Sequence, residues 1–184
     1  MPGLLVVGLG NPGRAYAGTY HNAGREVVER FAEKNGIAWS ETSKAFVASF
    51  DKGWLILPNT YMNCSGEAVG PLSRRKGIPP EQVLVVVDDL YIPAGSVRIR
   101  SEGGAAGHNG LKSIEEALGT TAYPRIRIGI GPDPGGEART QYVLSRPRPE
   151  TMADLFEGKE AALAALEAVL THGVSEAQKM FHGG

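Results

Sequence analysis

The chain predicts an α/β fold, a single domain built on a twisted mixed β-sheet with helices on both faces, and three observations carry that expectation. Short apolar runs at Leu4 to Val7 and Val83 to Val87 read as buried strands. Segments with apolar residues at helical spacing alternate with them, the pattern of a layered α/β domain. Two strand-like runs, around Ala45 to Phe50 and Trp54 to Leu57, flank an Asp51-Lys52-Gly53 turn, and that hairpin breaks strict βαβ alternation.

Leu4 to Val7 ends in glycines. Gly3, Gly8 and Gly10 interrupt the apolar start and no basic region or cleavage site accompanies it, so a strand is expected there and not a signal peptide. A turn rich in Gly, Pro and Asn leads to a helix from about Asn22 to Asn35, carried by Val27, Val28, Phe31 and Ala32 and stopped at Gly36. After the hairpin, Cys64 to Lys76 is expected to be helical, presenting Ala68, Val69 and Leu72, with Pro71 as an irregularity and Gly77 as its stop. Val83 to Val87 is the most β-branched run and ends in Asp88-Asp89, which suggests a central strand with a polar carboxyl end. Val97 to Arg100 reads as a short strand, Gly103 to Gly110 as a loop, and Leu111 to Leu118 as a helix ending at Gly119. Arg125 to Ile130 alternates basic and apolar residues, placing its arginines on one face. From about residue 150, Met152, Leu155, Phe156, Leu163, Leu166 and Leu170 mark a C-terminal amphipathic helix, broken near Gly173 before a short tail.

Composition narrows the function. With 184 residues, 42% hydrophobic and 21% charged, the chain suits one domain over 1–184. No run approaches the roughly 20 apolar residues of a membrane-spanning helix, and the expectation is a soluble, cytoplasmic protein. The single cysteine, Cys64, excludes an intramolecular disulfide and a cysteine zinc cage. The histidines lack ligand spacing, so no metal is expected. A net charge of −1 gives no general attraction to nucleic acid, which leaves only local cationic patches. Candidates are Arg98 with Arg100, Arg125 with Arg127, and Arg74-Arg75-Lys76, the last of which is equally a basic helix end.

Gly8-Leu9-Gly10-Asn11-Pro12-Gly13 has the spacing of a dinucleotide fingerprint. That fingerprint needs a helix opening at its third glycine and an acid at the end of a second strand. Here Pro12 and a turn delay the helix, and Glu29 and Glu33 lie on the helix itself, so the glycines are read as serving a tight turn. Polar clusters instead gather after strands: Asn11 with His21 and Asn22, Asn63 before a helix, and Asp88 after the central strand. His108-Asn109 closes the glycine-rich loop and opens a helix. Together they supply a base, an orienting acid and amide donors, which is what ester hydrolysis requires.

Five collinear blocks then carry a family resemblance. VGLGNPGRAYAGTYHNAG, PNTYMNCSGEAV, VVVDDLYIP, GGAAGHNGLKSI and RIRIGIG resemble, in order and spacing, the successive motifs of bacterial-type peptidyl-tRNA hydrolases. The resemblance implies a monomer without metal or cofactor, acting on tRNA esterified with an N-blocked peptide through the 3′ CCA end and acceptor stem. It implies His21 as catalytic histidine, Asp88 as its partner carboxylate, and Asn11 and Asn63 as amides lining the cleavage site. Asn109 falls at the mouth of the pocket, His108 near the tRNA end, and Tyr16 and Met62 along the substrate groove. Arg100 and Arg127 match basic residues against the terminal phosphates, with Arg125 a companion. The chain departs from the pattern at Ala105 or Ala106, where many relatives carry an extra histidine, and at Tyr91, where they carry an acid. Two rival functions compete with this one: a thiol hydrolase using Cys64, which is better read as packing, and a non-catalytic RNA-binding module, which leaves the base, acid and amides unexplained.

Overall fold

The computed structural model of the chain describes residues 3–182; Met1, Pro2, Gly183 and Gly184, at the apolar start and the short tail, lie outside the described residues. Seven strands form one sheet in the order β2-β3-β4-β1-β5-β7-β6. They are β1 (Leu4–Gly8), β2 (Ser40–Glu41), β3 (Ala45–Phe50), β4 (Gly53–Pro58), β5 (Val83–Pro93), β6 (Val97–Arg100) and β7 (Arg125–Gly131). β4, β1, β5 and β7 run parallel, while the β3–β4 hairpin and β6 pair antiparallel, so the sheet is mixed as expected.

Helices cover both faces because successive residues of a strand point opposite ways. Val6, Leu55, Leu57, Leu84, Val86, Ile126 and Ile128 meet α1 (Ala23–Lys34), α5 (Pro149–His172) and α6 (Val174–His182) in one core. Leu5, Val7, Ile56, Val83, Val85 and Val87 meet α2 (Gly66–Arg75) and α3 (Asn109–Leu118) in the other. α1 lies so close to β5 that a Cβ on Gly24 would stand 2.0 Å from the Val86 carbonyl oxygen. A short helix, α4 (Ala138–Val143), bridges toward the carboxyl end of the sheet and has no counterpart among the expected elements.

Several expectations need correction. β5 does not stop before its acids; it runs through Asp88 and Asp89 to Pro93, with a register irregularity after Asp89. Glycine at 129 permits this, because a side chain there would strike the Pro93 carbonyl at 2.0 Å. α2 starts at Gly66, preceded by a 3₁₀ turn at Met62–Cys64, and continues past Pro71. On α5, Leu155, Leu163 and Leu166 are buried, but Met152 and Phe156 are exposed, because the buried stripe runs through Gly158, Ala162, Ala165 and Val169. The break at Gly173 is present, and beyond it the chain turns into a further helix, α6. His182 on α6 accepts the Ile99 N–H at 3.1 Å and Gln178 donates to the Ile99 carbonyl, so α6 covers the β6 edge.

Candidate active site

At the carboxyl ends of the parallel strands, Asp88 sits inside β5 with a buried carboxylate between two histidines. Its Oδ2 meets His21 Nδ1 at 2.8 Å and its Oδ1 meets His108 Nε2 at 2.9 Å, with the two imidazole centroids 4.7 Å apart. His21 arrives on a 3₁₀ turn, Tyr20–Asn22, between β1 and α1. His108 is the N-cap of α3, where its Nδ1 accepts the backbone N–H groups of Gly110 at 3.1 Å and Leu111 at 3.3 Å. That cap fixes the tautomer: Nδ1 holds the lone pair, so Nε2 carries the proton given to Asp88.

The electrostatics follow from this geometry. Burial pulls the His21 imidazole down, but the Asp88 charge and hydrogen bond outweigh it, so its pKa stands above the ordinary value. Burial pushes the Asp88 carboxyl up, and the two histidines overcome that and hold it well below the usual carboxylate range. With His21 Nδ1 bound to Asp88, its Nε2 carries the lone pair and takes no protein partner among the described residues. His21, Asp88, His108 and Asn109 line one cleft together with Tyr91 and Arg139.

His21, Asp88 and His108 bring ligating atoms within 4.8 Å of one another, a convergence hidden by their sequence spacing. The donors do not suit an ion. Each imidazole already lies at hydrogen-bond distance from Asp88, and the His108 lone pair is spent on the α3 cap.

The other expected site residues fall around this centre. Asn11 is buried, its Oδ1 accepting the Met62 N–H at 2.7 Å, so it fastens the Met62–Cys64 turn and makes no bond to His21. Asn22, grouped with these residues in the sequence but given no role, clamps Asn11 by accepting its N–H at 2.8 Å and donating to its carbonyl at 3.0 Å. Asn63 is exposed on the turn that Asn11 holds, and Met62 packs its sulfur against Gly110 at the start of α3. Tyr16 makes an edge contact with exposed Tyr61. Asn109 is exposed at the first residue of α3.

The arginines divide. Arg98 stands opposite Arg127 and Arg100 opposite Arg125, so all four share one sheet face. Arg98 and Arg100 are exposed. Arg127 is only 9% exposed and its guanidinium donates to Asp89 Oδ2 at 3.3 Å and to the Gly104 carbonyl at 3.0 Å, on the wall of the same cleft. Arg125 is wholly buried, donating to the carbonyls of Thr121, Tyr123 and Gly104. Cys64 is half-buried, not packed in the core, and the neighbouring Glu67 together with desolvation raises its thiol pKa, the opposite of an activated nucleophile.

A family model described as peptidyl-tRNA hydrolase matches residues 5–184. The chain belongs to the peptidyl-tRNA hydrolase family. A peptidyl-tRNA hydrolase of Synechococcus sp. is 43% identical over 185 residues, covering 97% of this chain and 82% of that one. One of Thermus thermophilus is 42% identical over 180 residues, covering 98% and 96%. Among solved structures, peptidyl-tRNA hydrolase of Acinetobacter baumannii superposes with a TM-score of 0.90 at 34% identity, covering 97% of this chain and 93% of that one. In this chain the two histidines and the aspartate lie at the carboxyl end of the parallel strands, where an α/β fold gathers ligands.

Proposed function

We propose that His21 is the general base of this peptidyl-tRNA hydrolase. The enzyme hydrolyses the ester between a peptide and the 3′-terminal ribose of tRNA, releasing the tRNA. What carries the assignment of the base is the His21–Asp88 hydrogen bond, which leaves Nε2 as a lone pair on the wall of the cleft. A water held there gives its proton to Nε2 while its oxygen attacks the ester carbonyl; Asp88 stabilises the imidazolium that forms, and the proton then passes to the leaving ribose oxygen. No cofactor enters these steps. Asn63, exposed on the turn fixed by Asn11, donates to the tetrahedral oxygen, a contribution typically worth about 3 kcal/mol. Asn109, at the positive end of α3, receives the peptide side of the substrate, with Tyr16 and Met62 along its path.

Arg100, with Arg98 beside it, contacts phosphates of the acceptor stem near the 3′ CCA end, since both are exposed and neither has a carboxylate partner among the described residues. The enzyme works as a monomer in the cytoplasm, where its substrate forms; no helix of the described residues is long and apolar enough to cross a membrane. Single-turnover hydrolysis of peptidyl-tRNA by His21→Asn tests the base: the expected loss is about 10²- to 10⁴-fold. Undiminished turnover by the folded variant would remove His21 from the chemistry.

A further inference from the structure

We propose that Tyr142 is a positioning residue that sets the turn bearing His21 against the strands that place Asp88, and this rests on His21 being the base. The segment from Gly13 to Tyr20 leads into that turn, and its anchorage comes from one place. The Tyr20 N–H donates to the Ser145 carbonyl at 3.1 Å, and Arg146 donates to the carbonyls of Ala17 at 3.0 Å and Arg14 at 3.1 Å. The Tyr20 hydroxyl lies 2.9 Å from that of Thr151. Among the described residues, every hydrogen bond from this segment to a distant part of the chain therefore ends between Ser145 and Thr151. On the other side of His21 the turn is held separately, by the clamp of Asn22 on Asn11.

Tyr142, at the end of α4, gives the upstream anchor its fixed point. Its ring stacks on that of Tyr20, with centroids 4.6 Å apart and planes 13° from parallel. Its hydroxyl donates to the Ile130 carbonyl on β7, the one side-chain hydrogen bond from α4 to a strand among the described residues. β7 is also the strand that registers Asp88, which pairs with Ile128 two residues before Ile130. Tyr20, Ile130 and Leu155 form a small buried cluster of their own, and Tyr142 packs against it with Leu90 and Val143. One side chain thus refers the His21 turn to the strand pair that fixes its carboxylate partner. Thr140 and Val143 line the cleft and Tyr142 does not, so Tyr142 acts through Tyr20.

Tyr142→Phe keeps the stack and the packing on Ile130, whereas Tyr142→Leu removes the ring face. If Tyr142 positions the turn, Y142L lowers the single-turnover rate by about 10- to 100-fold, as expected for a displaced catalytic group, with KM changed less than about twofold, while Y142F stays within about threefold of the parent. Two further readouts make no reference to the reaction. Hydrogen exchange at the Tyr20 amide accelerates in Y142L, and the His21 Nδ1 proton resonance, carried downfield by the bond to Asp88, moves upfield. A raised KM with the rate intact overturns the proposal, because it makes Tyr142 a support of the cleft wall alone. An unmoved resonance overturns it as well, and so does a moved resonance with an unchanged rate. Should Y142L fail to fold in a denaturant melt, Tyr142→Met, flexible and of similar reach, carries the same comparison. Exchange and resonance report the stack whether or not His21 is the base, and His21→Asn tests the base separately, so failure of one is distinguishable from failure of the other.

Discussion

Asp88→Asn removes one charge and changes almost no volume, yet the hydrogen bonds around it predict near-complete loss of activity. A carboxylate offers acceptors on both oxygens, and here each accepts an imidazole N–H, from His21 at 2.8 Å and from His108 at 2.9 Å. A carboxamide offers one acceptor and a donor. His108 cannot turn its proton around, because Nδ1 is occupied by the two backbone donors of Gly110 and Leu111. The amide oxygen therefore goes to His108 and the amide NH₂ faces His21 Nδ1. His21 must then carry its proton on Nε2, the atom proposed as the base. Inverting a catalytic imidazole's tautomer in this way costs about 10⁴ in a serine-protease triad. That is roughly 5 kcal/mol at 1.36 kcal/mol per tenfold, far more than a weakened pair alone would cost. The assay is single-turnover hydrolysis of peptidyl-tRNA across the neutral pH range, with ¹⁵N imidazole spectra reporting the tautomer and a denaturant melt confirming the fold. A folded D88N enzyme within tenfold of the parent, or one whose His21 still protonates Nδ1, would refute the reasoning.

Because the His21 pKa is raised and the proposed base must be neutral to act, the single-turnover rate should climb as pH passes that value and level off above it, which a pH–rate profile with its midpoint above about 6.5 would verify. Stability linked to His21 runs the other way: present in full below about 6.5 and lost as pH rises through the folded value, while the Asp88 contribution is present above about 4 and lost as pH falls through its lowered value; melts of H21N against the parent across pH read the first of these. Gly24→Ala should destabilise the fold by about 3 kcal/mol in a urea melt, since its methyl would lie 2.0 Å from the Val86 carbonyl oxygen. Arg100→Gln should reduce the salt slope of tRNA binding by about 1 while leaving the saturated single-turnover rate near that of the parent, measured by titration at several ionic strengths.

The architecture is legible in the sequence because its signals are local. Apolar runs mark β1 and β5, helical periodicity marks α1 and α3, and Gly36 and Gly119 adopt the positive φ expected of helix stops. What escapes depends on register. Arg127 and Asp89 share a face by strand alternation, but only the pairing of Val87 with Arg127 puts them within reach, and pairing between β5 and β7 is not written in either strand. Exposure escapes in the same way: period 2 correctly gathers the arginines on one face, without telling which pair the glycine loop covers. The convergence of His21 with Asp88 and His108 likewise follows from chain crossings, and the tautomer of His108 from a cap that an Asn at the helix start conceals. Met152 and Phe156 mislead for a simpler reason, since half of the buried stripe of α5 is glycine and alanine, which carry little weight in a search for large apolar side chains.

The placement of β1 has a consequence for how the molecule is made. Of the seven strands of the sheet it leaves the ribosome first, yet it lies between β4 and β5, with Val7 beside Ile56 on one side and Val85 on the other. During synthesis one edge of that strand stays unpaired until Val83 to Pro93 has emerged, so Asn11 and His21 wait through a long stretch of chain for a frame to stand on. Pairings this distant in sequence form slowly, and an open apolar edge is open to other chains meanwhile. The proposed catalytic centre is thus assembled late, after the arrival of the strand that carries Asp88.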